Sequence, residues 1–152
     1  MRRYKPPAAI QLSATTEPVV FLAGSIEMGA ADDWQAKLAG ALPAGVVAIN
    51  PRRVDWDSSW RQSIDEPLFR EQVEWELDGL DRADLIAMWF EPATRSPITL
   101  LELGLHARSG KLVIGCPHGF WRRGNLEVVA ARHAITLVDT WDAFVAAVRA
   151  RL

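Results

Sequence analysis

Val19-Val20-Phe21-Leu22-Ala23 is an unbroken apolar run closed by Gly24-Ser25. A run this short, with no polar residue alternating through it, suits a strand buried on both faces, as in a parallel sheet covered by helices. Similar runs recur at Val46-Val47-Ala48-Ile49, Asp84 to Phe90, Lys111 to Gly115 and Ala134 to Val138. Between them the apolar spacing is helical, predicting helices from about Ala30 to Ala41, Leu68 to Arg82, Ser96 to Ser109, Gly124 to His133 and Trp141 to Leu152. The punctuation agrees. Pro43-Ala44-Gly45 breaks the first helix, Asn50-Pro51 ends the second strand, and Ser96-Pro97 offers an N-cap followed by proline at the first helical position. Arg52 to about Pro67 is a long loop. Five strands alternating with helices imply an α/β fold: a mostly parallel sheet with right-handed crossovers and helices on both faces.

The bulk numbers fit that fold. At 152 residues the chain has the size of one domain, with 49% hydrophobic and 24% charged residues. Residues 1–17, rich in Pro, Ala, Thr and Ser, are expected to form a loosely held arm before a domain spanning 18–152. A net charge of −2 argues against binding nucleic-acid backbones, and no segment has the roughly 20 apolar residues that a membrane span needs. Cys116 is the only cysteine, so no internal disulfide forms and a cytoplasmic location is the simpler expectation. His106, His118 and His133 lack ligand spacing, so no metal is expected.

In parallel sheets of this kind ligands bind beyond the carboxyl ends of the strands, which directs attention to four loops and two helices. Glu102 is the only charged residue between Arg95 and Arg108, and a carboxylate in so apolar a helix must be partnered or have a raised pKa. A structural carboxylate bonded to a neighbouring loop fits the same pattern. On the 68–82 helix, Glu76 falls about 60° from the stripe of Phe69, Val73, Leu77 and Leu80, whereas Glu74, Asp78 and Asp81 point to solvent. Glu76 therefore borders the buried face. Gly24, Ser25 and Ile26 follow the first strand and are expected to approach a ligand through backbone N–H groups, although a plain strand-to-helix turn explains them equally. Ser96 offers a hydroxyl and helix N-terminal amides, or a simple cap. In the loop opened by Asn50, Trp56 or Trp60 could stack on a base with Arg52 or Arg53 near a phosphate; a core or interface role for either tryptophan accounts for them as well.

Taken in order, Phe21-Leu22-Ala23-Gly24-Ser25-Ile26, Asn50-Pro51-Arg52-Arg53, Glu76 with Ala83-Asp84, Ser96 to Gly104, and Gly124-Asn125 resemble the nucleoside 2-deoxyribosyltransferase-like family. The resemblance spans Val19 to Val138. It implies a Rossmannoid, flavodoxin-like sheet, no cofactor, and chemistry at the N-glycosidic bond of a small-molecule nucleoside or nucleotide. It further implies that Glu102 is the nucleophile, that Glu76 moves the proton of the base, that Ser96 binds the 5′ end of the sugar or its phosphate, and that Asn125 reaches that end from a neighbouring subunit of a homo-oligomer. Two departures stand out. Phe21 occupies a position where several members have tyrosine, and Glu27 one where the nucleotide-hydrolase branch has arginine. A ribonucleotide N-glycosidase and a non-catalytic nucleotide-binding module are the alternatives; the glycine-rich PGGxGTxxE run of cytokinin-type phosphoribohydrolases is absent.

Overall fold

The structure is a computed structural model and describes residues 1–12, 16–26 and 32–152. Among these, six strands form one sheet: β1 (Arg2–Tyr4), β2 (Val19–Gly24), β3 (Val47–Ile49), β4 (Leu85–Trp89), β5 (Leu112–Gly115) and β6 (Thr136–Val138). The helices are α1 (Trp34–Ala41), α2 (Pro67–Arg82), α3 (Pro97–His106), α4 (Arg123–His133) and α5 (Trp141–Arg149). The sheet order is β1-β3-β2-β4-β5-β6 and every pair is parallel. Leaving β1 aside, β3-β2-β4-β5-β6 is the flavodoxin-like order, whose direction reverses beside β2.

Alternation along each strand sorts the core into two layers. Phe21, Ala23, Ile49, Ile86, Met88, Phe90 and Ile114 face Leu80 of α2, Leu103 of α3 and Leu126 of α4. Val20, Leu22, Ala48, Leu85, Ala87 and Val113 face Trp34 and Leu38 of α1 and Phe144 and Val148 of α5. Side-chain caps start two of these helices: Asp33 accepts from the Ala36 amide at 3.0 Å, and Thr140 accepts from Ala143. No helix among the described residues is long and apolar enough to cross a membrane.

The sheet has six strands and not five, because β1 comes from the stretch expected to be a loose arm. Arg2-Arg3-Tyr4 carries no apolar run; its pairing is templated by the open edge of β3, with Arg2, Arg3 and Tyr4 opposite Val47, Ala48 and Ile49. Tyr4 donates to the Gln11 carbonyl at 2.7 Å, Trp75 of α2 to the Ala8 carbonyl at 2.8 Å, and Arg82 to the Ile10 carbonyl at 2.9 Å, so the segment is tied across α2.

The buried face of α2 also differs from the expected stripe. Leu77 is 40% exposed, whereas Gln72, Gly79 and Leu80 are buried. The reason is Gly79: a Cβ there would stand 2.8 Å from a Phe21 ring carbon and 3.2 Å from Ile49 Cγ2. Only a glycine lets α2 lie this close to β2 and β3, and the closest approach rotates Gln72 and Glu76 inward at Leu77's expense. Gly79→Ala is therefore expected to destabilise the fold by ~1–3 kcal/mol through overpacking, against the ~1 kcal/mol that alanine adds to a helix. Gly40→Ala in α1, where a Cβ meets nothing within 4 Å, should be stabilising. Urea unfolding of both variants checks the contrast; equal shifts would show that Gly79 is not a contact point.

Candidate active site

Both glutamate-bearing helices pack on β2, the strand beside which the sheet order reverses. Glu102 lies in the second turn of α3 and is 8% exposed. Burial pushes its carboxyl up to about 8, and the charge of Glu76 adds to the rise. Glu76 is pushed up to about 7 by burial, a rise moderated by the Gln72 amide, whose Nε2 donates to its Oε1 at 2.7 Å. The repulsion is mutual, so near neutrality the two carboxyl groups retain protons that exposed glutamates lose. No hydrogen-bond donor to Glu102 is found among the described residues. The two acids predicted from sequence are thus brought together, and Glu76 borders the buried face as expected, partly exposed beside the buried Gln72.

The start of α3 is fixed by hydroxyl groups. The Ser25, Thr94 and Ser96 hydroxyls form a triangle with edges of 2.8, 2.5 and 2.8 Å. The Glu91 amide donates to Ser25 Oγ at 3.0 Å, and Thr94 Oγ1 donates to the Glu91 carbonyl at 2.9 Å. Ser96 has φ +46°, a left-handed conformation costly for a residue with a Cβ, and its side chain caps no amide. The expected N-cap hydroxyl is instead spent on tying α3 to the end of β2. The Ser25 amide donates to the Trp89 carbonyl, so it belongs to the sheet and does not point at a ligand. Gly24, at φ +145°, is required because a Cβ would stand 2.3 Å from the Trp89 carbonyl oxygen and 2.7 Å from Trp34. Ile26 is partly exposed, and Glu27 lies outside the described residues.

At the end of β3, Asn50 is buried and accepts from the Arg52 amide at 2.9 Å. Arg52 reaches back to Gln35 Oε1, the Asp32 carbonyl and, at 3.5 Å, Asp33. Arg53 pairs with Asp55 and Glu71 and lies over the Trp60 ring. The two cations considered for a phosphate are thus held by acids of the protein itself. Trp56 packs edge-on against Trp60 at 5.2 Å, with its indole N–H buried and unpartnered among the described residues. Asn125 is exposed on the first turn of α4 and takes no part in the glutamate pair. Phe21 is fully buried, so no hydroxyl stands at that position.

Sequence reasoning missed Gln72 and Thr94. Gln72 could have been found from its spacing, four residues before Glu76 on the same helical face. Among the described residues no group of His, Cys, Asp and Glu is arranged to hold a metal. Two cavities of about 560 Å³ lie at the opposite, amino-terminal edge of the sheet, one lined by Ile10, Gln11, Leu12 and Arg82 and the other reaching Asp84 and Arg151. Neither touches the glutamate pair.

These features define a doubly wound, flavodoxin-ordered α/β protein with a carboxylate pair at its topological switch point. The chain belongs to the family described as nucleoside 2-deoxyribosyltransferase like, whose model matches residues 17–120. Membership ties it to nucleosides as a substrate class. No curated protein matches it. A solved structure similar to this fold is a conserved protein from Enterococcus faecalis V583, with a TM-score of 0.62 and 12% identity over 90% of this chain and 99% of that one.

A carboxyl whose folded pKa is raised stabilises the fold below the unfolded value and loses that contribution as pH climbs through the folded value. For Glu102 the window runs from 4.5 to about 8. Glu102→Gln should equal the parent in stability near the bottom of this window and exceed it above the top. At about 1.4 kcal/mol per pKa unit, the gap is at most roughly 5 kcal/mol. Urea titrations at both ends measure it; a gap independent of pH would contradict the buried carboxylate.

Proposed function

We propose that the protein cleaves or transfers at the N-glycosidic bond of a nucleoside through a covalent glycosyl-enzyme on Glu102. The observation that carries this is the pair of buried carboxyl groups, Glu102 and Glu76, one from each helix packed on β2. Attack needs Glu102 ionised and departure of the base needs a proton on Glu76; a pair holding a single proton reaches this form when the proton shifts from Glu102, the more strongly raised acid, to Glu76. As a Glu102 oxygen bonds to C1′, the C1′–N bond breaks and Glu76 gives its proton to the leaving ring nitrogen. In the return step Glu76 takes a proton from water or from an incoming base, which attacks C1′ and releases Glu102. Water yields a hydrolase and a second base a transferase.

Within this reading Ser96 and Ser25, joined in the hydroxyl triangle, stand by the 5′ end of the sugar, and Asn50 and Trp56 by the base. The engagement of Arg52 and Arg53 with Asp33, Asp55 and Glu71 favours a nucleoside over its 5′-phosphate. A non-catalytic nucleoside-binding module is favoured by one observation, the fully buried Phe21 in place of a tyrosine. We place the protein in a reducing compartment, since its single thiol, Cys116, is buried and pushed up to about 11 by that burial.

We also infer a homo-oligomer built on α3. Its outer face exposes Ile98, Leu101 and Leu105 to 58–59%, while its inner face is buried, so the helix is apolar on both sides. It lies between α2, with exposed Glu74, Asp78 and Asp81, and α4, with exposed Arg132 and, just before its first residue, exposed Arg122. A two-fold axis across α3 sets the acidic flank of one copy against the basic flank of the other.

Incubating the protein with deoxynucleosides, ribonucleosides and their monophosphates tests the chemistry. Base release should follow a bell in pH, falling on the acid side as both carboxyls take protons and on the basic side as both lose them, with limbs near 7 and 8. Glu102→Ala should lose at least ~10³-fold in rate, and mass spectrometry of the parent should show a glycosylated Glu102 peptide. Release that persists in the variant would sink the nucleophile assignment, and ligand-dependent stabilisation without turnover would favour the binding module. For assembly, Leu101→Arg with Leu105→Glu should shift the sedimenting species to monomer; an unchanged mass would exclude this face.

A further inference from the structure

Gln72 lies one helical turn before Glu76 on the buried face of α2 and is 3% exposed. Its Nε2 donates twice, to the Pro51 carbonyl at 3.1 Å and to Glu76 Oε1 at 2.7 Å. Its own Oε1 is buried with no hydrogen-bond partner among the described residues. A buried acceptor left unpaired forfeits its hydration with nothing in return, so this orientation needs a reason. Rotating the amide by half a turn would set Oε1 against the Pro51 carbonyl oxygen, acceptor to acceptor. A backbone carbonyl has no proton to offer and cannot adapt, so it locks the amide, and Glu76 meets an N–H at every stage.

Among the described residues, no other group is found to offset the charge of Glu76. From α3 it faces Glu102, which repels its charge. From the loop after β3 the nearest cations in sequence are Arg52 and Arg53, which turn to Gln35 and Asp33 and to Asp55 and Glu71. No ion pair to Glu76 is found among the described residues.

We propose that Gln72, oriented by the Pro51 carbonyl, is a positioning residue that holds one oxygen of Glu76 as a hydrogen-bond acceptor and thereby favours its charged, proton-accepting form. This rests on the glycosyl-enzyme reading and assigns Gln72 to its second half. Once Glu76 has given its proton to the departing base it is an anion, and Glu102, bound to C1′ as an ester, is neutral. The Gln72 N–H is then what keeps Glu76 ionised until it takes the proton of the attacking water or base. Without it, Glu76 recaptures a proton from solvent and the ester persists.

The test is Gln72→Met, which keeps length and removes the donor, with Gln72→Asn as a second variant that keeps polarity and loses reach. The Glu76 carboxyl is followed by NMR with 13C-labelled glutamate, assigned through Glu76→Gln, and base release is followed through its pre-steady-state burst. In the folded variants the Glu76 titration should move up by about one pH unit, a roughly tenfold gain in proton affinity. The acid limb of the steady-state rate should move up with it, while the burst is kept. A Glu76 titration unchanged in either folded variant overturns the proposal, as does a rate lowered equally at every pH. Should the parent release no base while the titration still moves, Gln72 keeps its action on Glu76 and the glycosyl-transfer reading alone falls.

Discussion

The close seat of α2 on the sheet is the constraint from which the candidate site follows. Position 79 has no room for a Cβ against Phe21 and Ile49, and the glycine there lets the helix axis drop toward β2. Lowering the helix at that point draws in the residues one and two turns before it, which are Glu76 and Gln72. A carboxyl in that position leaves water with one amide for company and Glu102 opposite. Desolvation and like-charge repulsion then act in the same direction on both acids. A more loosely packed α2 would leave Glu76 solvated, and Glu102 would then be an isolated buried acid with nothing to exchange a proton with.

The second acid owes its position to a different device. α3 carries Glu102 on the same face as Thr99, Leu103 and His106, all buried, so the helix must be held against rotation about its axis. That is done at its first residues by hydroxyls. Ser25 at the end of β2 bonds Thr94, Ser96 and the Glu91 amide, joining the ends of β2 and β4 to the start of α3. Ser96 accepts a left-handed backbone to reach this arrangement, a strain of ~1–3 kcal/mol that three hydroxyl contacts offset. The two glutamates are thereby fixed by unrelated means, a steric gap for one and a polar knot for the other.

How much of this was legible in the sequence depends on the kind of signal. Runs such as Val19 to Ala23 and Leu85 to Trp89 are buried on both faces and announce themselves, so the parallel sheet and its five helices are readable within a few residues. β1 was not readable, because Arg2-Arg3-Tyr4 is a strand only by virtue of its neighbour's free edge. The two acids stood out as a charge inside an apolar helix and as a charge near an apolar stripe. The orientation of α2 was misjudged at Leu77 because hydrophobic periodicity gives weight to a leucine and none to a glycine, although the glycine makes the contact. At Ser96 the sequence spacing suggests a cap, and only the tertiary fold brings the Ser25 hydroxyl to 2.5 Å from its own.

The outer face of α3 bears on the choice between transfer and hydrolysis. On the proposed reading, both outcomes pass through the same ester on Glu102 and differ in whether water or a second base reaches C1′ first. Water is present at far higher concentration than any base, so transfer requires that the ester be shielded except where a base can stack. The helix that carries Glu102 is apolar on the side facing away from the sheet, with Ile98, Leu101 and Leu105 exposed in a single chain. A second copy seated there would remove this apolar surface from water and stiffen the helix under the ester. On the proposed reading, assembly and reaction outcome are linked only through the rigidity of that helix, since the face a second copy would cover points away from Glu102.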